Sequence, residues 1–394
     1  MAEIRNFLDA NVTGKTVLLR VDFNVPLNGE QVMDDTRIME ALPTIKSIID
    51  RGGKVLIASH LGRPDGIGYQ REYSLAPVAK YLSDVLGQKV VFVGDIIGYH
   101  AQEVVASLKP GQVAMLENLR FDPREKKNDP EFAKELASLA DLFVNDAFGA
   151  AHRAHASISG VTEFLPSYAG TLMLKEFHTL KTKLDDPVRP CCAILGGSKV
   201  SDKIKIIDAL IEKCDTVIIG GGMCFTFLLA QGYEVGKSLK EVDWVDRARE
   251  TLERAEAKGV KILLPTDVVC APAVAEGVEI EVAPVDEIPD YMMGLDIGPE
   301  TVKEYTRAIL QAKTVFWNGP MGVFELKPFE AGTKGVAVAV AAAKEATTII
   351  GGGDSVAAVN KFNLGDQMTF ISTGGGASMK LVQGDDLPGI EALK

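Results

Sequence analysis

Short apolar runs alternate with amphipathic helical patterns along the whole 394-residue chain, and that alternation restricts the fold more than any other feature. In the first half the runs fall at residues 17–22, 54–59, 89–93, 113–117 and 142–146. In the second they fall at 192–195, 216–219, 261–264, 314–317, 348–350 and 369–372. Between the first two lies a helix pattern. Asp34, Asp35 and Thr36 offer caps, Ile38, Leu42, Ile45 and Ile49 form one stripe, and Gly52 and Gly53 close it. Pro43 is expected to kink this helix without abolishing it. Strands separated by helices pair in parallel through right-handed crossovers. The length exceeds one ordinary core. The expectation is therefore an α/β protein of two doubly wound, Rossmann-like parallel-sheet domains.

The boundary falls at Asp185-Asp186-Pro187-Val188-Arg189-Pro190, preceded by a helix over 169–184 that reads as a hinge. This places an N-terminal domain at 1–170 and a C-terminal domain at 186–371. Thr216-Val217-Ile218-Ile219-Gly220-Gly221-Gly222 and Thr347-Thr348-Ile349-Ile350-Gly351-Gly352-Gly353 share a strand-to-glycine form. That echo reads either as an internal repeat or as the ordinary likeness of two buried strands.

Hydrophobic residues make up 46% and charged residues 24%, the balance of a folded chain. A net charge of −12 argues against a nucleic-acid partner. The five cysteines have neither CxxC nor zinc-ligand spacing and read as buried, reduced thiols. Residues 1–10 carry Glu3, Arg5 and Asp9 and no apolar core of a leader. The blandest stretch, 336–343, falls far short of the ~20 residues of a membrane span. A cytoplasmic protein is expected.

Ligands of open parallel sheets sit beyond the carboxyl ends of the strands, and two chemically different sets of residues fall there. The first half offers Arg20-Val21-Asp22-Phe23-Asn24, Ser59-His60-Leu61-Gly62-Arg63, Glu117-Asn118-Leu119-Arg120, and Asn145 through His155 with His152 and Arg153; Arg37 opens the first helix. If these loops converge, Arg37, Arg63, Arg120, Arg153, His60 and His152 form a cationic bowl. Guanidinium forks bind phosphate and carboxylate in pairs of hydrogen bonds, which suits a small substrate with more than one anionic group.

The second half offers glycine runs between strand and helix: Gly196-Gly197-Ser198-Lys199, Gly220 to Gly222, Gly351 to Gly353 with Asp354 and Ser355, and Gly374, Gly375 and Gly376. Such runs let backbone N–H groups and a helix N-terminus approach phosphates. Lys199 and Lys203, four residues apart, are expected on one helical face. Asp354 is placed to meet a magnesium–phosphate complex. Gly232 to Ser238 imitates a P-loop but is one residue short, and no GxGxxG run opens a helix.

Taken together, Arg20 to Pro26, Ser59 to Pro64, Glu117 to Phe121, Asn145 to Gly149, Ala151 to His155, Leu195 to Lys203, Trp317 to Glu325, Gly351 to Ser355 and Ser372 to Ser378 occur in order over most of the chain. In this the chain closely resembles the phosphoglycerate kinase family, in its shorter bacterial form. The resemblance implies reversible transfer of the acyl phosphate of 1,3-bisphosphoglycerate to MgADP, giving 3-phosphoglycerate and MgATP, a step of glycolysis and gluconeogenesis. It implies that the tail, 372–394, returns to the N-terminal domain. It places the acid on Asp22, Phe23, Asn24, Arg37, His60, Leu61, Gly62, Arg63, Arg120 and Arg153. The nucleotide falls to Gly197, Lys199, Lys203, Gly221, Gly294, Asn318, Pro320, Glu325, Gly352, Gly353, Asp354 and Ser355. Gly374, Gly375 and Gly376 serve as a phosphate or transition-state loop. Mg²⁺ enters with the nucleotide, and the enzyme is expected to be a monomer with no nucleic-acid or membrane partner. Ser198 stands where relatives commonly have Ala, and Asp122 where many have His; Ser198 could cap a helix.

A carboxylate that attacks a γ-phosphoryl is already ionised near pH 7, so no general base is needed. Catalysis then rests on alignment and on neutralising charge. Arg37 and Lys203 are assigned to the transferring phosphoryl, Lys199 to support, and Asp354 to the metal, with hinge closure bringing the substrates together. Two other readings are a nucleotide sensor without turnover, which the intact Arg37 and Lys203 oppose, and an NAD-dependent dehydrogenase, which the absence of a dinucleotide fingerprint opposes.

Overall fold

The computed structural model describes residues 4–394; residues 1–3, which open the expected first domain and include Glu3, lie outside the described residues. The chain forms two compact units. One runs to His178 and takes in Asp386–Lys394; the other is Thr179–Asp385.

In the first unit six parallel strands, β1 (Thr16–Arg20), β2 (Lys54–Ala58), β3 (Val90–Phe92), β4 (Val113–Met115), β5 (Leu142–Asn145) and β6 (Ser167–Ala169), lie in the order β3-β4-β2-β1-β5-β6. Their side chains alternate between two cores, as the pleat requires. Val17, Leu19, Val55, Ile57 and Val144 join the core beneath helix α1 (Thr36–Asp50), while Leu18, Leu56, Ala58 and Phe143 join Phe132 and Leu136 on the other face. Both faces are covered, so the adjacent strands β1 and β5 are buried throughout.

Helix α1 buries Ile38, Ala41, Leu42, Ile45 and Ile48, with Ile49 only partly covered. It continues unbroken through Pro43, which is exposed, so the carbonyl of Met39 that it leaves without an N–H lies on the wet side. Gly53 N donates to Ile48 O and Gly52 N to Ile49 O, with Gly52 at φ 75°, the left-handed stop the two glycines promised.

The second unit repeats the scheme. Strands β7 (Cys191–Leu195), β8 (Thr216–Ile219), β9 (Lys261–Leu263), β13 (Thr314–Asn318), β14 (Thr347–Ile350) and β15 (Phe370–Ile371) form a parallel sheet in the order β9-β8-β7-β13-β14-β15. A small antiparallel sheet of β10 (Asp267–Ala271), β11 (Glu281–Pro284) and β12 (Met293–Ile297), which periodicity did not show, is inserted between β9 and β13. The expected helix 169–184 starts later, as α2 (Thr171–Phe177), and widens into a π-turn over His178–Thr182 before Lys183–Asp185.

In the second unit helices α3 (Val200–Ile211), α4 (Ala331–Ala342), α5 (Gly353–Lys361) and α6 (Gly376–Gln383) follow β7, β13, β14 and β15. The return of the tail begins at Asp386, not near Ser372, because α6 belongs to the second unit. Gly389 N donates to Ala151 O (2.8 Å) and Arg5 N to Leu393 O (3.2 Å), which stitch the last residues to the first unit. No helix among the described residues is long and apolar enough to cross a membrane.

Both sheets share one topological consequence. From β1 the chain moves to β2 on one side, and from β5 to β6 on the other; β7 and β13 diverge in the same way. The crevices between β1 and β5, and between β7 and β13, are switch points where a doubly wound sheet binds ligands.

Candidate active site

At the first switch point Arg20 ends β1 with its side chain buried, 1% exposed. A guanidinium there needs acceptors, and it has them. Its Nε donates to Ser157 Oγ (2.8 Å), Nη1 to the Val21 carbonyl, and Nη2 to His60 Nδ1 (3.1 Å). Ser157 in turn donates to the buried Glu125, through Oγ to Oε1 (2.6 Å) and through its backbone N–H to Oε2 (3.0 Å).

The loop after β2 is braced from three sides. Asn24 Oδ1 accepts from Gly62 N (2.8 Å), Asn118 bridges Leu61 N, Leu61 O and Tyr73 O, and Arg120 Nη1 donates to Gly62 O (2.7 Å). Gly62 sits at φ 61° against the Tyr73 ring, so only glycine fits. Arg37 Nη1 donates to Asp22 Oδ1 (3.3 Å) and Asn24 O (3.0 Å). Arg153 Nε donates to His152 Nε2 (3.2 Å) and is half-buried, while Arg63 is exposed. Phe23 and Leu61 have core side chains, so they can offer a ligand only backbone.

Electrostatics ties these loops together. Burial first, then the charges of Arg20, Arg120, Arg153 and Arg37, hold the His60 pKa well below the ordinary histidine value. Arg120 is brought down to about 10 by burial, then by Arg153 and Arg20. Its Nε, buried, has no hydrogen-bond partner among the described residues. His155, 3.9 Å from Glu125 Oε1, is brought down to about 4 by burial and then by Arg120, Arg20 and Arg153. Burial pushes Glu125 up, against the pull of Arg20 and Ser157. Cations crowded this closely, with one buried carboxyl among them, mark a place built for an anion.

The second switch point has the opposite chemistry. A cavity of about 510 Å³ is lined by Gly197, Gly221, Gly294, Pro320, Glu325 and Asp354, with Phe225, Leu239 and Val323 as apolar walls. The glycines are there because backbone meets backbone. A Cβ on Gly221, at φ 69°, would stand 2.6 Å from Gly197 N, and one on Gly196 would collide with the Pro320 carbonyl. Asn318 donates through Nδ2 to Gly351 O (2.7 Å) and accepts from Lys203 Nζ through Oδ1. Ser355 Oγ accepts from Gly319 N (2.6 Å) and donates to Gly351 O (3.0 Å). Gly352 is at φ 93° beside Asn318, and Gly353 and Asp354 open α5 in the open. Burial lowers Lys203, and the nearby Asp354 opposes that shift.

Two details differ from the sequence reading. Lys199 is the N-cap of α3 in extended backbone, so it does not share a helical face with Lys203. Ser198 is exposed and caps nothing; Glu241 reaches in from outside to accept from Ser201 N (3.0 Å) and Ser201 Oγ (2.6 Å). Gly374, Gly375 and Gly376 lead into α6, with Gly374 N donating to Ser372 Oγ (3.1 Å), and they do not line the cavity. Ser157 and Glu125 were absent from the candidate set, and Arg20, named there only as part of its strand-end run, was given no role; a charged residue ending an otherwise buried apolar strand was the available signal for it.

A model of the phosphoglycerate kinase family matches residues 7–385. The chain belongs to the phosphoglycerate kinase family. It is 54% identical over 385 residues to the phosphoglycerate kinase of Pelotomaculum thermopropionicum, covering 98% of each chain. With that of Clostridium tetani it is 54% identical over 388 residues, 98% of this chain and 96% of the other. Among solved structures, phosphoglycerate kinase from Coxiella burnetii is similar at TM-score 0.91 and 42% identity over 99% of both chains. That from Pyrococcus horikoshii is similar at 0.84 and 34%, over 99% and 98%.

The protein is thus a phosphotransferase: it moves the acyl phosphate of 1,3-bisphosphoglycerate to MgADP, reversibly, giving 3-phosphoglycerate and MgATP in glycolysis. Its magnesium comes with the nucleotide. The residues present fit such an ion. Among the described residues no cluster of three or more His, Cys, Asp or Glu could hold a metal alone, whereas Asp354 offers one exposed hard-oxygen donor at a helix start. One carboxylate plus phosphate oxygens is the usual magnesium arrangement.

Proposed function

We propose that the loops after β1, β2, β4 and β5 hold the phosphoglycerate acid and that the cavity after β7 and β13 holds the magnesium nucleotide. The observation that carries this reading is the contrast between the two switch points. One gathers Arg20, Arg37, Arg120 and Arg153 around a buried histidine; the other is a glycine-floored cavity with apolar walls. A small dianion suits the first, and a ring with a phosphate tail suits the second.

Asp22, Asn24, His60, Arg63, Arg120 and Arg153, with the backbone of Phe23, Leu61 and Gly62, orient the acid. Arg37 neutralises the transferring phosphoryl from the acid side and Lys203 from the nucleotide side, while Lys199 lends support. Gly197, Gly221, Gly294, Asn318, Pro320, Glu325, Gly352, Gly353 and Ser355 shape the nucleotide site, and Gly374, Gly375 and Gly376 offer N–H groups to the phosphoryl in flight. Asp354 would hold Mg²⁺, which supplies charge neutralisation on the nucleotide phosphates. The acid's own carboxylate attacks, so no side chain need take a proton.

In-line transfer needs the reacting atoms within roughly 3–3.5 Å. With the acid residues ending near 155 and the nucleotide residues starting near 195, hinge closure on the segment 171–185 completes the reading. The chain acts as a cytoplasmic monomer without nucleic-acid or membrane partners, which the net charge of −12 and five buried cysteines without a disulfide support.

Hydrogen exchange on the whole chain tests the assignment. 3-Phosphoglycerate alone should protect the loops around 20–24, 59–63 and 150–155, and MgADP alone those around 196–203, 318–325 and 351–355. The same loops protected by both ligands would refute it.

A further inference from the structure

The carboxyl of Glu125 is wholly buried among cations, although Glu125 is not one of the residues assigned to the acid. It accepts from both Ser157 N–H and Ser157 Oγ–H, so the single hydroxyl proton of Ser157 points at Glu125. The Oγ lone pairs are then left for a donor, and Arg20 Nε, which can only donate, takes one at 2.8 Å. That bond and the one from Nη1 to Val21 O fix the guanidinium plane, and the plane aims Nη2 at His60 Nδ1, 3.1 Å away.

Arginine carries no acceptor, so Nδ1 must present its lone pair. Among the described residues the other ring nitrogen, Nε2, has no hydrogen-bond partner. The geometry points to Glu125 as a positioning residue for the acid site. Through Ser157 and Arg20 it sets the His60 ring with its proton on Nε2, ready to donate to an anionic oxygen. This deepens the acid-site assignment and rests on it for the identity of the anion, though not for the tautomer.

The arrangement also resists protonation. A proton on Nδ1 would put two donors and two positive charges 3.1 Å apart. The charged groups that act on the ring are Arg20, Arg120, Arg153 and Arg37, with Glu125 and His155 behind Arg20. His60 therefore adds a neutral donor to a set of cations. A neutral donor separates binding the acid from further crowding of positive charge, which three more donors on an ammonium would not.

The test is a two-bond proton–nitrogen correlation spectrum of the whole protein labelled with ¹⁵N only at histidine, with His60 assigned by its loss in His60→Gln. In the wild type, Nδ1 should resonate as an unprotonated ring nitrogen and Nε2 as a protonated one, unchanged from about pH 8 to about pH 6. In Ser157→Ala the tautomers should mix, and KM for 3-phosphoglycerate should rise about tenfold while KM for MgATP stays put. Glu125→Gln, which puts an amide donor where Ser157 needs an acceptor, should move both readouts the same way. A proton on Nδ1 in the wild type, or an imidazolium at neutral pH, would overturn the proposal even if neither variant folds. So would variants that lose stability but keep both the tautomer and the KM ratio. If MgADP and not 3-phosphoglycerate perturbs the His60 signals, the acid-site assignment fails instead, and the tautomer of the free protein still stands or falls on its own spectrum.

Discussion

Replacing Arg120 by methionine should make the free protein more stable while removing its affinity for the acid. The side chain is 4% exposed, makes one bond to the Gly62 carbonyl at 2.7 Å, and leaves Nε without a partner among the described residues. Burial, Arg153 and Arg20 together lower its pKa from 12.5 to about 10. For a base the sign is simple: below that value the folded state carries a charge it disfavours, so at neutral pH the full penalty is present. A shift of this size corresponds to roughly 3 kcal/mol against the charged form. Loss of the bond to Gly62 returns about 1–2 kcal/mol, because that half-exposed carbonyl can turn to water. Methionine keeps most of the apolar stem. The net expectation is a gain of roughly 1–2 kcal/mol, or a Tm higher by roughly 2–8 °C for a domain of this class. Thermal unfolding with and without 3-phosphoglycerate measures both halves. Wild type should gain about 2.7 kcal/mol at a hundred times Kd, and the variant should gain almost nothing at that concentration. A variant less stable than wild type without ligand would show that Arg120 holds the fold and that the reasoning from crowded cations is wrong.

Arg37→Ala should lower kcat by ~10³-fold or more, as for cations that meet a phosphoryl in flight, with a smaller change in acid affinity; a higher KM at constant kcat would reduce Arg37 to a binding residue. His155, whose pKa is depressed from 6.5 to about 4, contributes stability that is present above its unfolded value and lost as pH falls from about 6.5 towards 4. His155→Gln should therefore flatten the acid limb of a Tm-against-pH curve, and an unchanged limb would exclude this residue as its source. Gly221→Ala, which sets a Cβ 2.6 Å from Gly197 N at φ 69°, should raise KM for MgATP at least tenfold and leave 3-phosphoglycerate binding intact in calorimetry. Unaltered MgATP kinetics would mean that the glycine loops are not the nucleotide floor.

Much of this was legible because doubly wound sheets put chemistry at strand ends. The apolar runs located all the long parallel strands, and Arg120, Arg153, Gly197, Gly221 and Asp354 could be singled out from their place after a run. Two kinds of feature escaped. β6 has only three residues, and the sheet of β10, β11 and β12 is irregular: β11 is mostly exposed, and the pairing of β10 with β12 shifts register between Val269 and Cys270, so no clean period marks it. Long-range polar chains leave no local trace: Arg20 meets Ser157 across 137 positions, and Ser157 meets Glu125 across 32. Lys199 shows a third limit. Spacing by four implies a shared face only inside a helix, and its extended backbone puts it outside.

The central claim is that the two substrates belong to different units of the chain, and calorimetry on one variant from each unit tests it most directly. Arg153→Ala should lose 3-phosphoglycerate binding and keep MgADP binding, whereas Asp354→Asn should weaken MgADP and keep 3-phosphoglycerate. Each titration is run with one ligand alone on the whole protein, so neither depends on turnover. The account predicts this crossed pattern; either variant weakening both ligands equally, or weakening the other unit's ligand, would contradict it.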